Sequence, residues 1–418
     1  MTQPVQPKLP IPPQLLISEQ DSFAYYTFTH RVPAIIEQVI AENNFATAIV
    51  KKLEALSQNL LQETVRPLKP DGGTDHQAWI EYIAPYRSRR WLDSPFYFTE
   101  TYFYRRLLEA IAYFSVEPEY RIDPFELQKR LGLENAIKSV RSAVEQYQNF
   151  NRWQQKKGDR WQSAFLDLLY LNLWGNKADL SLNPTKAGGF DHENIEIHSQ
   201  EESILINDAP VVADYISSRE QPRIDFIVDN AGFELVSDLL LVDFLLTSEA
   251  VETAYLHLKS QPIFVSDAMT KDVHATLNYL ASDRHQRVQA IALRLQDYLT
   301  SGRLKLIDRP FWTTPLFFWS MPQELQHDLA KSSLVFIKGD ANYRRLVGDC
   351  HWAKTSSFAD ITCYFPAAFV ALRTLKSEVI VGLKQNQIDK LNNQDANWQT
   401  NGKRGLIQFG KPLLPSSQ

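Results

Sequence analysis

The chain has few of the features that mark secreted, membrane-spanning or zinc-binding proteins. Cysteine occurs only twice, at Cys350 and Cys363, which is too few for a disulfide scaffold and is typical of a reducing cytoplasm. No apolar run approaches the ~20 residues that span a bilayer, and the N-terminus lacks the hydrophobic segment of an export signal. The histidines are isolated, so no spacing indicates a zinc site. We therefore expect a cytoplasmic protein without membrane contact.

The net charge is also small. It is −5 over 418 residues, whereas a general nucleic-acid-binding protein usually carries a basic face. With 44% hydrophobic residues the chain can bury a large core, and its length predicts two domains or one large elaborated domain. The composition argues against nucleic acid as a partner and gives no indication of the oligomeric state.

The sequence divides into three regions. Residues 1–13 are rich in proline and predict an extended arm. Residues 14–190 show mostly helical periodicity, and a linker over 183–200 separates them from residues 191–418, where strands and helices alternate. The clearest amphipathic helix has apolar residues at spacings of three, four and seven, namely Phe96, Phe103, Leu107, Ile111 and Phe114. We predict an N-terminal helical domain followed by an α/β catalytic domain.

The most informative segment of the α/β region is a strand that ends in two oxygen ligands. The apolar run from Ile224 to Val228 stops at Asp229 and Asn230, and a glycine and a helical pattern follow. Ligands of open α/β sheets bind beyond the carboxyl ends of the strands, and a carboxylate beside a carboxamide suits a hard divalent cation. A plain turn is the alternative interpretation, because Asp and Asn also favour turns.

Further strands and helices repeat this arrangement. The other strand candidates are 255–259 with 263–265, 334–337, 369–372 and 379–381, and the intervening helix candidates are 236–247, 272–280 and 284–299. Helices between the strands permit a parallel sheet, so the polar strand ends would share one edge. Asp267 then joins Asp229 and Asn230 in a predicted metal site, although Asp267 could instead cap the following helix.

A second group of polar residues predicts a substrate site. Lys338, Asp340, Asn342 and Arg344 lie in one segment after a strand, where they could hold an anionic or hydroxyl-rich molecule by charge-assisted bonds. The alternative is a solvated turn.

Three further charged residues follow predicted strands. Arg373 and Lys376 lie three residues apart after another strand, and either cation could meet a phosphate. Glu234 could orient a ligand or complement the dipole of the helix on which it lies. Tyr104, Arg105 and Arg106 would reach the site only if the helical domain covers it.

Four motifs in order resemble those of a known family. They are Asp229-Asn230-Ala231-Gly232-Phe233-Glu234, Phe264-Val265-Ser266-Asp267-Ala268, the segment from Lys338 to Leu346, and Arg373-Thr374-Leu375-Lys376. Together they resemble the damage-control phosphatases, and Arg-Thr-x-Lys is typical of subfamily III, which includes the acidic-residue methyltransferase-like proteins. The segments 91–106 and 173–181 extend the resemblance into the N-terminal half.

The resemblance implies a fold, an activity and a set of roles. The fold is a three-layer α/β/α sandwich with a mostly parallel, Rossmann-like sheet and an N-terminal all-helical domain. The activity is a metal-dependent phosphatase for small phosphometabolites, sugar phosphates such as fructose 1-phosphate above all, with Mn²⁺ as cofactor and Co²⁺, Ni²⁺ or Mg²⁺ as alternatives.

The implied roles follow the motif positions. Asp229, Asn230 and Asp267 would bind the metal, while the segment from Asp340 through Tyr343 to Arg344, together with Lys376, would hold the substrate. We expect Lys376 and Asn342 to fix the phosphate group and to offset the charge that develops on its oxygens.

Two other functions are weighed against this one. An S-adenosylmethionine-dependent protein-glutamate carboxyl methyltransferase is the first, because one branch of the family has been given that activity. Such enzymes usually have a glycine-rich loop after the first strand, whereas the segment 229–234 has a single glycine. The second is a non-catalytic metabolite-binding protein, which would require the metal site to be structural or absent.

Overall fold

The computed structural model describes residues 6–58, 60–115, 117, 121–151, 158–180, 202–220 and 222–412, with side chains omitted at 147–151 and 176–180. The beginning of the predicted arm, the predicted linker over 183–200 and the last position of the 173–181 motif lie outside the described residues. No helix in these ranges is long and apolar enough to cross a membrane.

A seven-stranded sheet forms the centre of the described chain. Its strands are β1 (Ile204–Asn207), β2 (Arg223–Ile227), β3 (Thr253–Leu258), β4 (Leu304–Asp308), β5 (Leu334–Lys338), β6 (Phe369–Thr374) and β7 (Gly405–Gly410). Their order is β1-β7-β6-β5-β2-β3-β4. Neighbouring strands are parallel except β6 and β7, which are antiparallel. The predicted mostly parallel sheet is therefore confirmed.

Side chains of the central strands alternate between two cores. Phe226 and Phe336 lie in one core, while their chain neighbours Ile227 and Ile337 lie in the other. Successive side chains of a strand point to opposite faces of the sheet, and strands that are buried on both faces read as continuous apolar runs. The sheet is therefore buried on both faces and forms the middle layer of an α/β/α sandwich.

The α-helices cover both faces of the sheet. Their bounds are α1 (Phe23–Tyr26), α2 (Val32–Glu42), α3 (Thr47–Gln58), α4 (His76–Ile83), α5 (Phe96–Ala110), α6 (Glu126–Asn135), α7 (Ile137–Asn151), α8 (Asp159–Leu180), α9 (Ala209–Ser217), α10 (Phe233–Thr247), α11 (Thr270–Ala281), α12 (Gln286–Ser301), α13 (Gln323–Leu329), α14 (Gly339–Val347), α15 (Phe358–Thr362) and α16 (Gln385–Gln394). Buried residues of α2–α5 and α13–α16 share the core of Ile227, and those of α7–α12 share the core of Phe226.

Helices from the N-terminal half thus pack on both sides of the sheet. Helix α5 lies in the core of Ile227, whereas α8 lies in the core of Phe226 beside α10. The domain boundary near residue 190 stays a prediction. Helices on its N-terminal side pack against both faces of the sheet and so form part of both outer layers.

Two strand predictions were wrong. Residues 263–265 form a turn, because Phe264 and Val265 adopt φ angles of 51° and 65°, a left-handed conformation that a strand excludes. Residues 379–381 form no strand, and the Val379 carbonyl instead accepts a hydrogen bond from the Arg373 guanidinium. Strands β1, β4 and β7 were not predicted individually.

Candidate metal and phosphate site

The site lies where four neighbouring strands end. Asp229 and Asn230 follow β2, Asp267 follows β3, Asp340 begins the helix after β5, and Lys376 follows β6. Since β3, β2, β5 and β6 are adjacent and parallel, their carboxyl ends meet at one edge. We call the group of Asp229, Asn230 and Asp267, with Asp340 and Lys376 beside it, the strand-end site.

Two loops are held together at this edge by backbone hydrogen bonds. Asn230 and Asp267 pair as an antiparallel bridge. The Ala231 amide donates to the Ser266 carbonyl at 2.7 Å, and the Ala268 amide donates to the Asp229 carbonyl at 2.8 Å. The three predicted metal ligands are consequently adjacent. Asp267 does not cap α11, whose N-cap residue is Met269.

The Asp229 carboxylate is buried and incompletely bonded. It is 4% exposed, and its Oδ1 has no hydrogen-bond partner among the described residues. Burial, and then the nearby charges of Glu234 and Asp267, raise the pKa of Asp229 well above its ordinary value. Burial also raises the pKa of Asp267, although the Lys259 ammonium 3.0 Å away opposes that shift. The positive charges near Asp229 and Asp267 therefore do not offset the burial of these two carboxylates and the charges of the neighbouring acids.

The Asn230 carboxamide is oriented by two acids. Its Nδ2 donates to Asp229 Oδ2 at 2.9 Å and to Glu234 Oε2 at 2.8 Å, while its Oδ1 accepts from Ser266 Oγ at 2.5 Å. Because both amide hydrogens are used by carboxylates, the carboxamide oxygen is the atom that remains to coordinate a cation. Glu234 therefore acts on the site by positioning Asn230.

Glu234 belongs in turn to a buried polar chain. Lys338 Nζ lies 3.3 Å from Glu234 Oε1 and 2.9 Å from Asp238 Oδ1. The same Asp238 oxygen accepts a hydrogen bond from Asn172 Nδ2 of α8. Burial, only partly offset by Lys338, raises the pKa of Asp238 to about 6. Lys338 thus pairs with two interior acids, and its predicted contact with the substrate stays a prediction.

Gly339 brings the main chain against the Asp229 carboxylate. Its φ angle is +82°, and a Cβ atom at this position would lie 1.8 Å from Asp229 Oδ2. Both the left-handed backbone and the close approach require glycine. The unpartnered Asp229 Oδ1 and the oxygen-only donor set fit a hard divalent cation, and the Gly339 backbone holds the other carboxylate oxygen, Oδ2, in place.

Asp340 organises the segment that carries Lys376. Its carboxylate accepts hydrogen bonds from Arg373 Nε at 2.8 Å, from the Lys376 amide at 3.1 Å and from Ser377 Oγ at 3.0 Å. Burial alone would raise the pKa of Asp340, but Arg373 and Arg344 hold it below its ordinary value. Asp340 is therefore ionised, and it fixes the turn after β6.

Arg373 uses its guanidinium inside the protein. Besides Asp340, it donates to the carbonyls of Val379 and Ser377 and to Ser377 Oγ. These contacts position Asp340 and the Lys376 turn. The predicted contact between Arg373 and the substrate stays a prediction.

Three residues of α14 also make internal contacts. Asn342 Nδ2 donates to the Lys338 carbonyl at 2.9 Å and to the Val228 carbonyl at 3.3 Å, which ties β5 to β2. Tyr343 donates to Gln408 of β7 at 2.8 Å. Arg344 pairs with Asp349 and with Glu100, each at 2.8 Å. These contacts support the strand ends, and the predicted role of the three residues in holding the substrate stays a prediction.

Sequence reasoning missed two buried charged residues beside the site. Lys259 donates to the Val228 carbonyl at 3.1 Å in addition to its ion pair with Asp267, and a lysine directly after a strand was the available signal. Asp238 stands four residues after Glu234 in an otherwise apolar helix. That i,i+4 spacing places both acids on one helix face.

A second acidic cluster lies between the start of α6 and the start of α11. Carboxylate oxygens of Asp123, Glu126 and Asp272 lie within 4.8 Å of one another, close enough to share a cation. However, Lys129 Nζ lies 3.0 Å from Asp123 and 2.9 Å from Asp272, and Lys271 Nζ lies 3.0 Å from Asp123. We call this group the lysine-paired cluster, because two ammonium groups already pair with its three carboxylates.

Comparison with known proteins identifies the family. Residues 27–391 match the damage-control phosphatase ARMT1-like domain. This chain belongs to that family. It is 33% identical over 441 residues to damage-control phosphatase ARMT1 of Mus musculus, covering 96% of this chain and 99% of the mouse protein. It is 32% identical over 446 residues to the Danio rerio protein of the same name, with coverages of 96% and 98%.

A solved structure has also been compared with the chain. A DUF89 family protein from Pyrococcus horikoshii aligns with a TM-score of 0.49 and 13% identity, over 92% of this chain and 96% of that one. The family assignment rests on the sequence matches. It makes the chain a metal-dependent phosphatase that acts in damage control, with a phosphorylated small molecule as substrate.

Proposed function

We propose that the chain hydrolyses small sugar phosphates, fructose 1-phosphate among them, with Mn²⁺ bound by Asp229, Asn230 and Asp267. The observation that carries the proposal is the buried Asp229 carboxylate, whose Oδ1 lacks a hydrogen-bond partner within the described part of the chain. An unsatisfied buried acid is costly, and a divalent cation would remove that cost.

The cation would supply Lewis acidity toward the phosphoryl group and lower the pKa of water. The chain's own residues prepare the site for it. Glu234 and Asp229 accept from the Asn230 amide nitrogen, so the carboxamide oxygen, which accepts from Ser266 Oγ, is the Asn230 atom that would hold the cation. Lys259 opposes the rise in the pKa of Asp267 and so favours its ionised form, which is the form that binds a cation. Gly339 keeps the space beside Asp229 narrow, which excludes bulk water from that side of the carboxylate.

Lys376 is the residue we assign to the phosphate group. It is half-buried, and its positive charge lowers the pKa of Asp229, so the ammonium acts on the strand-end site. Asp340 fixes the Lys376 backbone through the 3.1 Å hydrogen bond to its amide. The Lys376 ammonium, held in that position, would offset the negative charge that grows on the phosphoryl oxygens as the ester bond breaks.

The test is phosphate release from a panel of sugar phosphates after chelation and return of single metals. We expect release that depends on Mn²⁺, Co²⁺ or Ni²⁺ and is fastest with a sugar phosphate such as fructose 1-phosphate. Absence of release with every metal would contradict the proposal. S-adenosylmethionine titration by calorimetry would then distinguish a methyltransferase from a non-catalytic binding protein.

A further inference from the structure

One face of helix α5 lies against the strand-end site. Tyr97, Glu100 and Tyr104 are spaced three and four residues apart, so their side chains share that face. Glu100 pairs with Arg344 of α14 at 2.8 Å, and the Arg344 guanidinium also lies over the Tyr97 ring, 5.1 Å from its centroid. The helix is thereby fastened to the element that follows β5.

The same face contacts the loop that carries Asp267. The ring of Phe264 lies 6.0 Å from the ring of Tyr97 and 5.2 Å from that of Tyr104. Phe264 stands three residues before Asp267, and its left-handed backbone, with φ of 51°, turns the loop. The negative charge of Asp267 contributes to the raised pKa of both tyrosines. Both rings therefore contact the loop that carries Asp267 into the strand-end site.

The hydroxyl groups of Tyr97 and Tyr104 make no hydrogen bond to another described residue, whereas those of Tyr102, Tyr343 and Tyr364 bond to Arg66, Gln408 and Leu346. The side chains of Tyr97 and Tyr104 as wholes are 1% and 5% exposed. Neither hydroxyl oxygen is among the fully buried polar atoms without a partner, so each oxygen reaches a surface open to water. Two polar groups beside the site are thus left for a ligand.

We propose that Tyr97 and Tyr104 bind the hydroxyl groups of the organic part of the substrate and so select polyol and sugar phosphates. Burial is the largest cause that raises the pKa of each phenol, so both stay neutral and offer one donor and two acceptor positions. Neutral phenols near carboxylates suit hydroxyl groups, while the phosphate group belongs with Lys376. This inference rests on the proposed phosphatase function and names the substrate class.

The test compares two phosphate esters in single variants. Tyr97→Phe and Tyr104→Phe keep the rings and remove only the hydroxyls, and kcat and KM are measured with fructose 1-phosphate and with p-nitrophenyl phosphate, which has no alcohol groups. The matched control is Tyr102→Phe on the same helix, whose hydroxyl bonds to Arg66. Thermal unfolding of each variant shows whether it is folded.

We expect the ratio of kcat/KM for fructose 1-phosphate to that for p-nitrophenyl phosphate to fall about fivefold in each of the two variants, mainly through KM, because one neutral hydrogen bond is lost. Tyr102→Phe should leave this ratio unchanged. Turnover of both esters with the same ratio in all three variants would overturn the inference and leave the phosphatase function standing. If the original protein hydrolyses neither ester, both this inference and the proposed phosphatase function are overturned.

Discussion

Two groups of acids in this chain have similar composition and opposite electrostatics. In the lysine-paired cluster, burial alone would raise the pKa of Asp123, but Lys129 and Lys271 hold it below its ordinary value. In the strand-end site, burial and neighbouring acids raise the pKa of Asp229, and its Oδ1 has no partner in the described ranges. If the proposed metal site is correct, an unsatisfied buried carboxylate at the strand ends is a better guide to the cation than the proximity of carboxylates alone.

The strongest test of this comparison removes one acid from each group. Asp229→Ala should lower kcat/KM by on the order of a thousandfold or more, because a cation ligand and its charge are lost, while the fold is retained. Asp123→Asn should leave kcat/KM within about threefold of the original value, since Lys129 and Lys271 already pair with the Asp123 carboxylate. Phosphate release at saturating Mn²⁺ measures both, and equal losses would remove the distinction.

The second test concerns the close approach of the main chain. Gly339→Ala should lower kcat/KM about a hundredfold, because the new Cβ must displace Asp229 and a 1 Å displacement can cost that much. Gly302→Ala is the matched control: its φ angle is also positive, at +78°, but no atom lies within 4 Å of the added Cβ. If Gly339→Ala and Gly302→Ala lose the same activity, the strain of a positive φ angle alone explains why position 339 requires glycine.

The third test concerns Glu234. Glu234→Gln leaves one acceptor oxygen for two donors, Asn230 Nδ2 and Lys338 Nζ. If that oxygen stays with the ammonium, the Asn230 carboxamide loses one of the contacts that orient it and keeps those with Asp229 and Ser266. Residues that orient metal ligands typically contribute about 10–100-fold to metal affinity or activity. We expect a loss of Mn²⁺ affinity in that range by calorimetry, with kcat partly restored at high Mn²⁺. A variant with unchanged affinity would show that Asn230 is oriented by other contacts.

The fourth test is the pH dependence of metal binding. The raised pKa of Asp229 and Asp267 means that the metal-free fold holds protons that the unfolded chain would release. Those groups therefore make the metal-free protein less stable as pH rises above the ordinary range for aspartate. Bound cations displace the protons.

Mn²⁺ affinity should accordingly rise with pH, by about tenfold per pH unit for each proton displaced. Calorimetry at several pH values measures the affinity, and buffers of different ionisation enthalpy count the protons. An affinity that does not vary with pH would argue that the ligands are ionised before the cation binds.

The smallest expected effect on activity comes from the lysine-paired cluster. Lys129→Met leaves Asp123 and Asp272 buried without their shared ammonium, which should lower the free energy of unfolding by about 3–5 kcal/mol. Turnover by the folded protein should change less than about threefold, because the loss concerns stability. Denaturant unfolding and phosphate release together test this. A large fall in kcat with unchanged stability would place the lysine in the phosphatase site.

Sequence reasoning predicted the parts of the site that depend on local pattern. Asp229, Asn230 and Asp267 follow apolar runs, and parallel strands bring such ends together. It did not predict the internal partners of Lys338 and Arg373. The partners of Lys338 lie on α8 and α10, which are distant in sequence. The partners of Arg373 at 377–379 are near in sequence, but the turn that brings them to the guanidinium has no local signal.

The fold was predicted with the same strengths and omissions. The buried parallel strands β2, β3, β5 and β6 are apolar enough to be recognised. Strand β4 lies at an edge and alternates in exposure, and β7 contains Gly405 and Gly410, so neither has the composition of a central strand. The position of α5 above the strand ends is set by packing between distant segments, for which no local signal exists.

The central claim is that the cation binds at the strand-end site and that the lysine-paired cluster takes none. Calorimetric titration of Mn²⁺ into the chelator-treated protein, Asp229→Ala and Asp123→Asn tests it most directly. We predict one ion per chain in the original protein and in Asp123→Asn, and none at the same concentrations in Asp229→Ala. Binding that survives in Asp229→Ala and disappears in Asp123→Asn would contradict the account.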